Sequence, residues 1–384
     1  LNVPYTLLLG LYDTQQDDES LKYNIYDHLN YNKILLISVV ILTIFGIIMI
    51  YSASHIWALY KFNNALKYTI FQLLFAGLGF ILMKIISKID YKIYYEKANL
   101  IILICLILLI LVLIPGLGVV RNGSRSWFSI FSFSIQPSEI AKLGLIIFVS
   151  KYLSKVKKIN FKEILPVLIV VGLFFGLIML QPDFGTGMVL VMSIVALLFI
   201  SGLNMKFFYI LGFVGIIGIT ALIVIAPYRM ARITSFIDPW KDPLGSGFQI
   251  IQSLYAIGPG GLFGTGFLNS RQKSFYLPEP QTDFIFSIIC EEFGVIGALF
   301  VIILFIIICY TSIKIALQKT DLFGKYLIFG IIFQIIFQAM LNLSVVIGLI
   351  PVTGVTLPFL SYGGSSLVIT MSMIGIILNI SKKD

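Results

Sequence analysis

The residue in this chain best placed to do chemistry is an aspartate at the border of a polar and an apolar segment. Asp283 closes the run Leu277-Pro-Glu-Pro-Gln-Thr-Asp283, with Glu279 four residues before it and Glu291 and Glu292 shortly after. A carboxylate at a helix start is held ionised by the helix dipole. Pressed against a hydroxyl it can act as a general base, an effect worth ~10²–10⁴-fold. Taken alone, it reads rather as an ordinary first-turn carboxylate. The same 227–283 segment carries Arg229, Arg232, Arg271 and Lys273, and a second polar segment, 115–137, carries Arg125 beside Trp127. Arginine's planar fork suits bidentate binding of phosphate or carboxylate. Other chemistries find no footing. The chain has two histidines, His28 and His55, so neither a Ser-His-Asp triad nor a histidine zinc site is indicated. Cys105, Cys290 and Cys309 lie in or beside apolar runs and imply no disulfide framework. No G-x-x-x-x-G-K-[ST] loop points to nucleotide hydrolysis.

The elements that must position these groups are membrane helices. Of the residues 59% are hydrophobic and 12% charged, with a mean hydropathy of +1.00. A bilayer core takes roughly 20 helical residues to cross. Apolar runs of about that length fall at 32–52, 66–86, 98–114, 138–153, 163–180, 185–203, 205–226, 284–313, 323–347 and 360–380. The expected fold is all-α: a polytopic membrane protein with about ten transmembrane helices and one large structured loop. With the N-terminus inside, 17 of the 27 lysines and arginines fall in inner segments and 9 in outer ones. That excess places both termini in the cytoplasm. A cytoplasmic tail, 1–30, then precedes a single transmembrane domain, 31–384, with extracytoplasmic loops at 115–137 and 227–283. The net charge of +9 is on this reading a topology signal, not one for nucleic acid. All five arginines lie on the outer side. Chance and anion recognition both account for that.

A polar loop as long as 227–283 is usually functional or disordered. Its spaced apolar residues argue for structure, with a short helix near Phe248–Ala256. The cluster Gly258-Pro-Gly-Gly-Leu-Phe-Gly-Thr-Gly266 could offer backbone N–H donors to an anion, or could simply allow close packing. Gln136-Pro-Ser-Glu139 reads as a helix start. It puts Glu139 and Lys142 on one helix face, either as a local ion pair or facing a substrate. Asp183, in the turn Gln181-Pro-Asp-Phe-Gly, reads as a helix cap. Phe284–Ile313 is 30 residues long, about 45 Å as a helix against a core of about 30 Å. The stretch from Gly294 onward already suffices to cross. The first ten residues, with Glu291 and Glu292, are therefore expected to line an outward polar cavity. The broken 349–366 segment is expected to complete its wall.

Taken together, several motifs resemble the SEDS family (shape, elongation, division and sporulation). They are Asn122-Gly-Ser-Arg-Ser-Trp127, Gln136-Pro-Ser-Glu139, Phe236-Ile-Asp-Pro-Trp240, Gly258-Pro-Gly-Gly261, Leu277-Pro-Glu-Pro-Gln-Thr-Asp-Phe-Ile285 and Pro358-Phe-Leu-Ser-Tyr-Gly-Gly-Ser-Ser366. Asn269-Ser-Arg-Gln-Lys273 and the Pro-Glu-Pro-Gln form resemble its FtsW/SpoVE branch more than RodA. The resemblance covers about 32–380 and implies a ten-span peptidoglycan glycosyltransferase of the plasma membrane. Its substrate would be the lipid-linked disaccharide-peptide precursor, lipid II, used on the outer face. It also implies a class B penicillin-binding protein as partner, with other division or sporulation membrane proteins. By resemblance Asp283 is the catalytic carboxylate, and Arg125 and Trp127 belong to the family's Asn-Gly loop. Many relatives carry arginine where this chain has Ser126, and histidine where it has Gln281. Arg125, Trp127, Glu139, Lys142, Arg229, Arg271, Lys273, Glu279, Glu291 and Glu292 are the expected substrate-binding set. A bridging Mg²⁺ or Mn²⁺ ion is compatible with this chemistry. Two rival functions are a flippase for the same lipid and a non-catalytic scaffold. Carboxylates gathered at the outer ends, away from the midplane where transporters couple, favour the enzyme.

Overall fold

The computed structural model describes residues 5–121, 123–130, 133–156, 160–225 and 227–382. Twelve α-helices and one small sheet make up the described chain. They run α1 (Tyr5–Phe62), α2 (Lys67–Ile86), α3 (Lys92–Leu111), β1 (Gly118–Arg121), β2 (Ser124–Ile130), β3 (Phe133–Ile135), α4 (Pro137–Lys155), α5 (Phe161–Leu180), α6 (Phe184–Ile200), α7 (Met205–Ile225), α8 (Pro227–Ile237), α9 (Phe248–Gly260), α10 (Ile285–Leu317), α11 (Leu322–Val346) and α12 (Ser365–Ile380). Seven helical stretches are long and apolar enough to cross a membrane: Asn30–Phe62 of α1, and α2, α3, α5, α7, α10 and α11. The chain is a multi-pass membrane protein. Helices α4, α6 and α12 also fall on expected apolar runs, but α6 and α12 are shorter and α4 buries Glu139 and Lys142.

Local chemistry sets the helix starts. Pro137 occupies the first turn of α4 with Glu139 beside it. Asp183 caps α6 by accepting from the Thr186 N–H at 3.1 Å, as expected. Asp321 caps α11 by accepting from Phe323 and Gly324. The core forms where α1 packs on α10, α2 on α12, α3 on α4, and α11 against α4, α6 and α10. Helix α7 stands apart: Phe207 is its buried residue and α8 its main neighbour.

Two features depart from the all-α expectation. The strands β1, β2 and β3 form an antiparallel sheet in that order, pairing Gly118 with Phe128 and Phe128 with Ile135. Strands of three to seven residues carry too few alternations to stand out from loop. The other departure is in α10, which bends at Gly294, where φ is +62°. A Cβ there would lie 2.6 Å from the Gly264 nitrogen, so both conformation and space demand glycine. The bend separates Ile285–Phe293 from the crossing stretch that follows, resolving the excess length noted in the sequence. Gly294→Ala is expected to cost about 1–3 kcal/mol. A thermal melt of the detergent-solubilised protein checks this, and an unchanged midpoint would contradict it.

Candidate active site

Asp283 sits just before α10 in a cradle built from backbone carbonyls. Its own carbonyl accepts from Asn342 Nδ2 at 2.7 Å, and that amide also donates to the Val355 carbonyl at 2.8 Å. The Thr282 carbonyl accepts from Ser361 Oγ at 2.6 Å, and the Gln281 carbonyl from the Tyr362 N–H at 2.8 Å. The 349–366 segment is thus laced to 281–283. Gly354, at φ +75°, leaves room where a Cβ would stand 3.6 Å from Asp283 Oδ2.

Asp283 itself is half-buried. Loss of water raises its pKa from 3.8 to about 6, with Glu279 and Asp183 pushing the same way and Arg232 opposing them. The expectation of a carboxylate held fully ionised by a helix dipole is therefore corrected: α10 begins at Ile285 with Phe284 as its cap, and burial dominates. A carboxylate of this pKa is ionised at neutral pH yet basic enough to accept a proton.

Behind it runs a file of buried polar groups. Asp183 accepts from Gln136 Nε2 at 2.8 Å, and burial raises its pKa. Its surroundings include the charges of Glu139 and Lys142. Those two form an ion pair at 2.8 Å on consecutive turns of α4. Lys142 Nζ also donates to Gln338 Oε1 at 2.8 Å, and Ser366 Oγ donates to Glu139 Oε2 at 3.2 Å. Glu139 is 5% exposed and Lys142 2%. The ion-pair reading holds, and direct substrate contact by either side chain does not fit this burial.

Glu291, Glu292 and Lys273 also do different work from that expected. They are 2%, 1% and 3% exposed and line no open cavity. Glu292 pairs with Lys273 at 2.8 Å and accepts from Ser52 Oγ at 2.6 and 2.7 Å. Glu291 accepts from Ser270 Oγ at 2.5 Å and the Arg271 N–H at 2.7 Å. Together they clamp the 264–273 loop onto α10 and α1. The glycine cluster serves the same junction: the N–H groups of Gly264, Thr265 and Gly266 donate to Gly260, Glu291 and Glu292 carbonyls at 2.7, 2.8 and 3.0 Å. Three of its donors are used within the protein, which supports the close-packing reading.

The remaining expected residues lie on separate segments, with Glu279 close enough to Asp283 to act on its charge. Arg125 is half-buried, with Nη1 donating to the Leu113 carbonyl at 3.2 Å, and Trp127 is half-buried on the same strand. Asn122 of that motif lies outside the described residues. Arg229 Nη1 donates to the Leu222 carbonyl at 2.8 Å. The Arg271 side chain and Glu279 are exposed, and Glu279 has φ +45°. Among the described residues no three His, Cys, Asp or Glu side chains could hold a metal ion together. Sequence reasoning passed over Gln338 and Asn342. Their signal was a stripe, Gln334, Gln338 and Asn342, four residues apart within an apolar helix.

A family profile described as cell cycle protein, covering FtsW, RodA and SpoVE, matches residues 32–384. The chain is 52% identical over 352 residues to stage V sporulation protein E of Bacillus subtilis, across 91% of this chain and 96% of that one. It is 40% identical over 357 residues to a probable peptidoglycan glycosyltransferase FtsW of a Geobacter species, across 92% and 97%. Among solved structures it is similar, at a TM-score of 0.75 and 30% identity over 91% of this chain and 96% of the other, to a chain of a peptidoglycan synthase complex that coordinates polymerization and crosslinking. It is also similar to the rod shape determining protein RodA of Thermus thermophilus, at a TM-score of 0.69 and 26% identity, over 91% and 95%.

Proposed function

Because this chain belongs to the FtsW/RodA/SpoVE family of cell cycle proteins, we propose that it polymerises the lipid-linked disaccharide-peptide precursor of peptidoglycan at the outer membrane face. It is a peptidoglycan glycosyltransferase. The observation that carries the mechanism is Asp283, half-buried, with its pKa raised to about 6 beside the Arg232 charge. In the reaction an acceptor sugar hydroxyl attacks the anomeric carbon of the donor. The new C–O bond forms as the bond to the lipid diphosphate breaks, and the electron pair leaves with the diphosphate. Asp283 takes the hydroxyl proton. The backbone cradle from Asn342, Ser361 and Tyr362 holds it for that transfer, and pre-set geometry of this kind lowers the barrier.

If the reaction uses a Mg²⁺ or Mn²⁺ ion, Asp283 is the carboxylate that would hold it, and the ion would supply positive charge toward the leaving group. Such ions bind through one or two carboxylates plus phosphate oxygens. Arg125, Trp127, Arg229, Arg271 and Glu279 remain the proposed substrate contacts. The protein works with a class B penicillin-binding protein, in line with the synthase complex to which it is similar, and with other division or sporulation membrane proteins. Glycan-strand synthesis from the lipid-linked precursor by the purified chain, with its partner present, tests the reading. No strands from a folded complex would sink it.

The topology proposed has ten crossings, with α4, α6 and α12 completing the seven longer ones and both termini in the cytoplasm. Its support is the positive charge on the inner segments. Ser246 and Ser129 are exposed, so cysteines placed there should react with an impermeant thiol reagent on intact cells. Labelling only after lysis would overturn the arrangement.

A further inference from the structure

Beside the Asp283 cradle lies a second concavity, of about 400 Å³, with its own lining. That volume is within the ~300–1,000 Å³ of small-molecule sites. Arg232 and Ser235 enter from α8, Ser246 and Gln249 from the turn into α9, Pro278 from the approach to Asp283, and Val352 from the segment after α11. The two sites adjoin. Arg232 Nη1 donates to the Val352 carbonyl at 3.0 Å, and two residues further on Gly354 borders Asp283 Oδ2. Arg232 is the charged residue of the lining, and its side chain is exposed, leaving guanidinium N–H groups toward the cavity. The nearby carboxylate, Asp242, turns to the Ser246 N–H and hydroxyl at 2.7 and 3.1 Å.

Depth supplies the second argument. Helix α8 follows α7 directly and is amphipathic, with Met230, Ile233 and Ile237 on one side and Arg232 and Ser235 on the other. A helix of this kind lies in the membrane interface, the level at which lipid phosphates sit. An anion attached to a lipid therefore reaches Arg232 without leaving the bilayer, and the guanidinium fork matches phosphate oxygens in pairs.

We infer that this cavity is the subsite for the diphosphate of the lipid-linked sugar, with Arg232 as its binding residue; the inference rests on the glycosyl-transfer reading of Asp283. When the anomeric carbon–oxygen bond breaks, the diphosphate takes the electron pair and Arg232 balances the charge that develops. The acceptor's proton goes to Asp283, on the neighbouring wall, so leaving group and base are served from separate sites.

The test uses the full chain in lipid nanodiscs with its cross-linking partner. Calorimetry follows binding of inorganic pyrophosphate, and strand synthesis follows the KM for the lipid-linked precursor. Losing a charge-assisted hydrogen bond, on the order of 1.5–3 kcal/mol, predicts that Arg232→Ala weakens pyrophosphate binding and raises KM by about ten- to a hundredfold. Arg232→Lys, which keeps charge but not the fork, should fall between, and Lys241→Ala, exposed and outside the cavity lining, should match wild type. The precursor should also compete with pyrophosphate. Pyrophosphate binding unaffected in both Arg232 variants, or no competition by the precursor, would overturn the subsite. Arg232-dependent binding in a protein that makes no strands would support the anion site and remove the glycosyl-transfer reading instead.

Discussion

Asp283→Asn is expected to lower glycan-strand synthesis at least ~10²-fold, the lower end for loss of a general base, while leaving the protein folded and bound to its partner. Asparagine keeps the size of the side chain, and the hydrogen bonds that fix residues 281–283 are made by their backbone carbonyls and by the Thr282 N–H and hydroxyl, not by the Asp283 carboxylate. The cradle should therefore survive. Linkage points the same way. The folded-state pKa stands above the ordinary 3.8, at about 6, so stability from the protonated carboxyl is present below 3.8 and lost as pH rises through about 6. Asparagine, neutral throughout, avoids that loss. A base must be deprotonated to act, so wild-type synthesis at limiting substrate should fall as pH drops through about 6 and level off above it. The measurement is strand synthesis by the purified variant with its partner, alongside co-purification and a pH series on wild type. Near-normal synthesis by a folded variant would remove Asp283 from the chemistry.

The second large effect concerns the clamp on α10. Lys273→Met should leave Glu292 charged in a nearly sealed site, with the Ser52 hydroxyl as its closest donor. Breaking a buried ion pair from one side typically costs about 3–5 kcal/mol, because the remaining charge loses its partner. Glu292→Gln should cost a similar amount by stranding Lys273. Replacing both by apolar residues of like volume should restore much of the loss, since pair and desolvation then disappear together. Thermal melting and membrane yield of the two single variants and the double variant decide it. Single variants that melt with wild type would show that the pair holds nothing in place.

The membrane-length helices were legible because each is a continuous apolar run, and a bilayer leaves the backbone of such a run few alternatives; α8, amphipathic and inside the expected loop, was not. Asp183 as a cap and Glu139 with Lys142 as a pair were legible too, since both depend on neighbours three residues away. Glu291 and Glu292 were not. Their position in an over-long helix marked them correctly as too costly for lipid. Their partners, however, come from 264–273 and from Ser52, more than two hundred residues away in the case of Ser52. Without the path that brings those segments together, a sealed clamp and an open cavity look alike in sequence. The sheet at 118–135 escaped for the opposite reason, its signal being local but only a few residues long.

The cradle around Asp283 grips its peptide by carbonyl oxygens, and carbonyls are common to every residue type. At position 281 the hold is the Tyr362 N–H on the main chain, whichever side chain stands there. That hold fixes the main chain from which the aspartate two residues on projects. Asn342, Ser361 and the backbone of 362 hold the main chain of 281–283, and the one side-chain atom of Asp283 that takes the proton is left out of that hold.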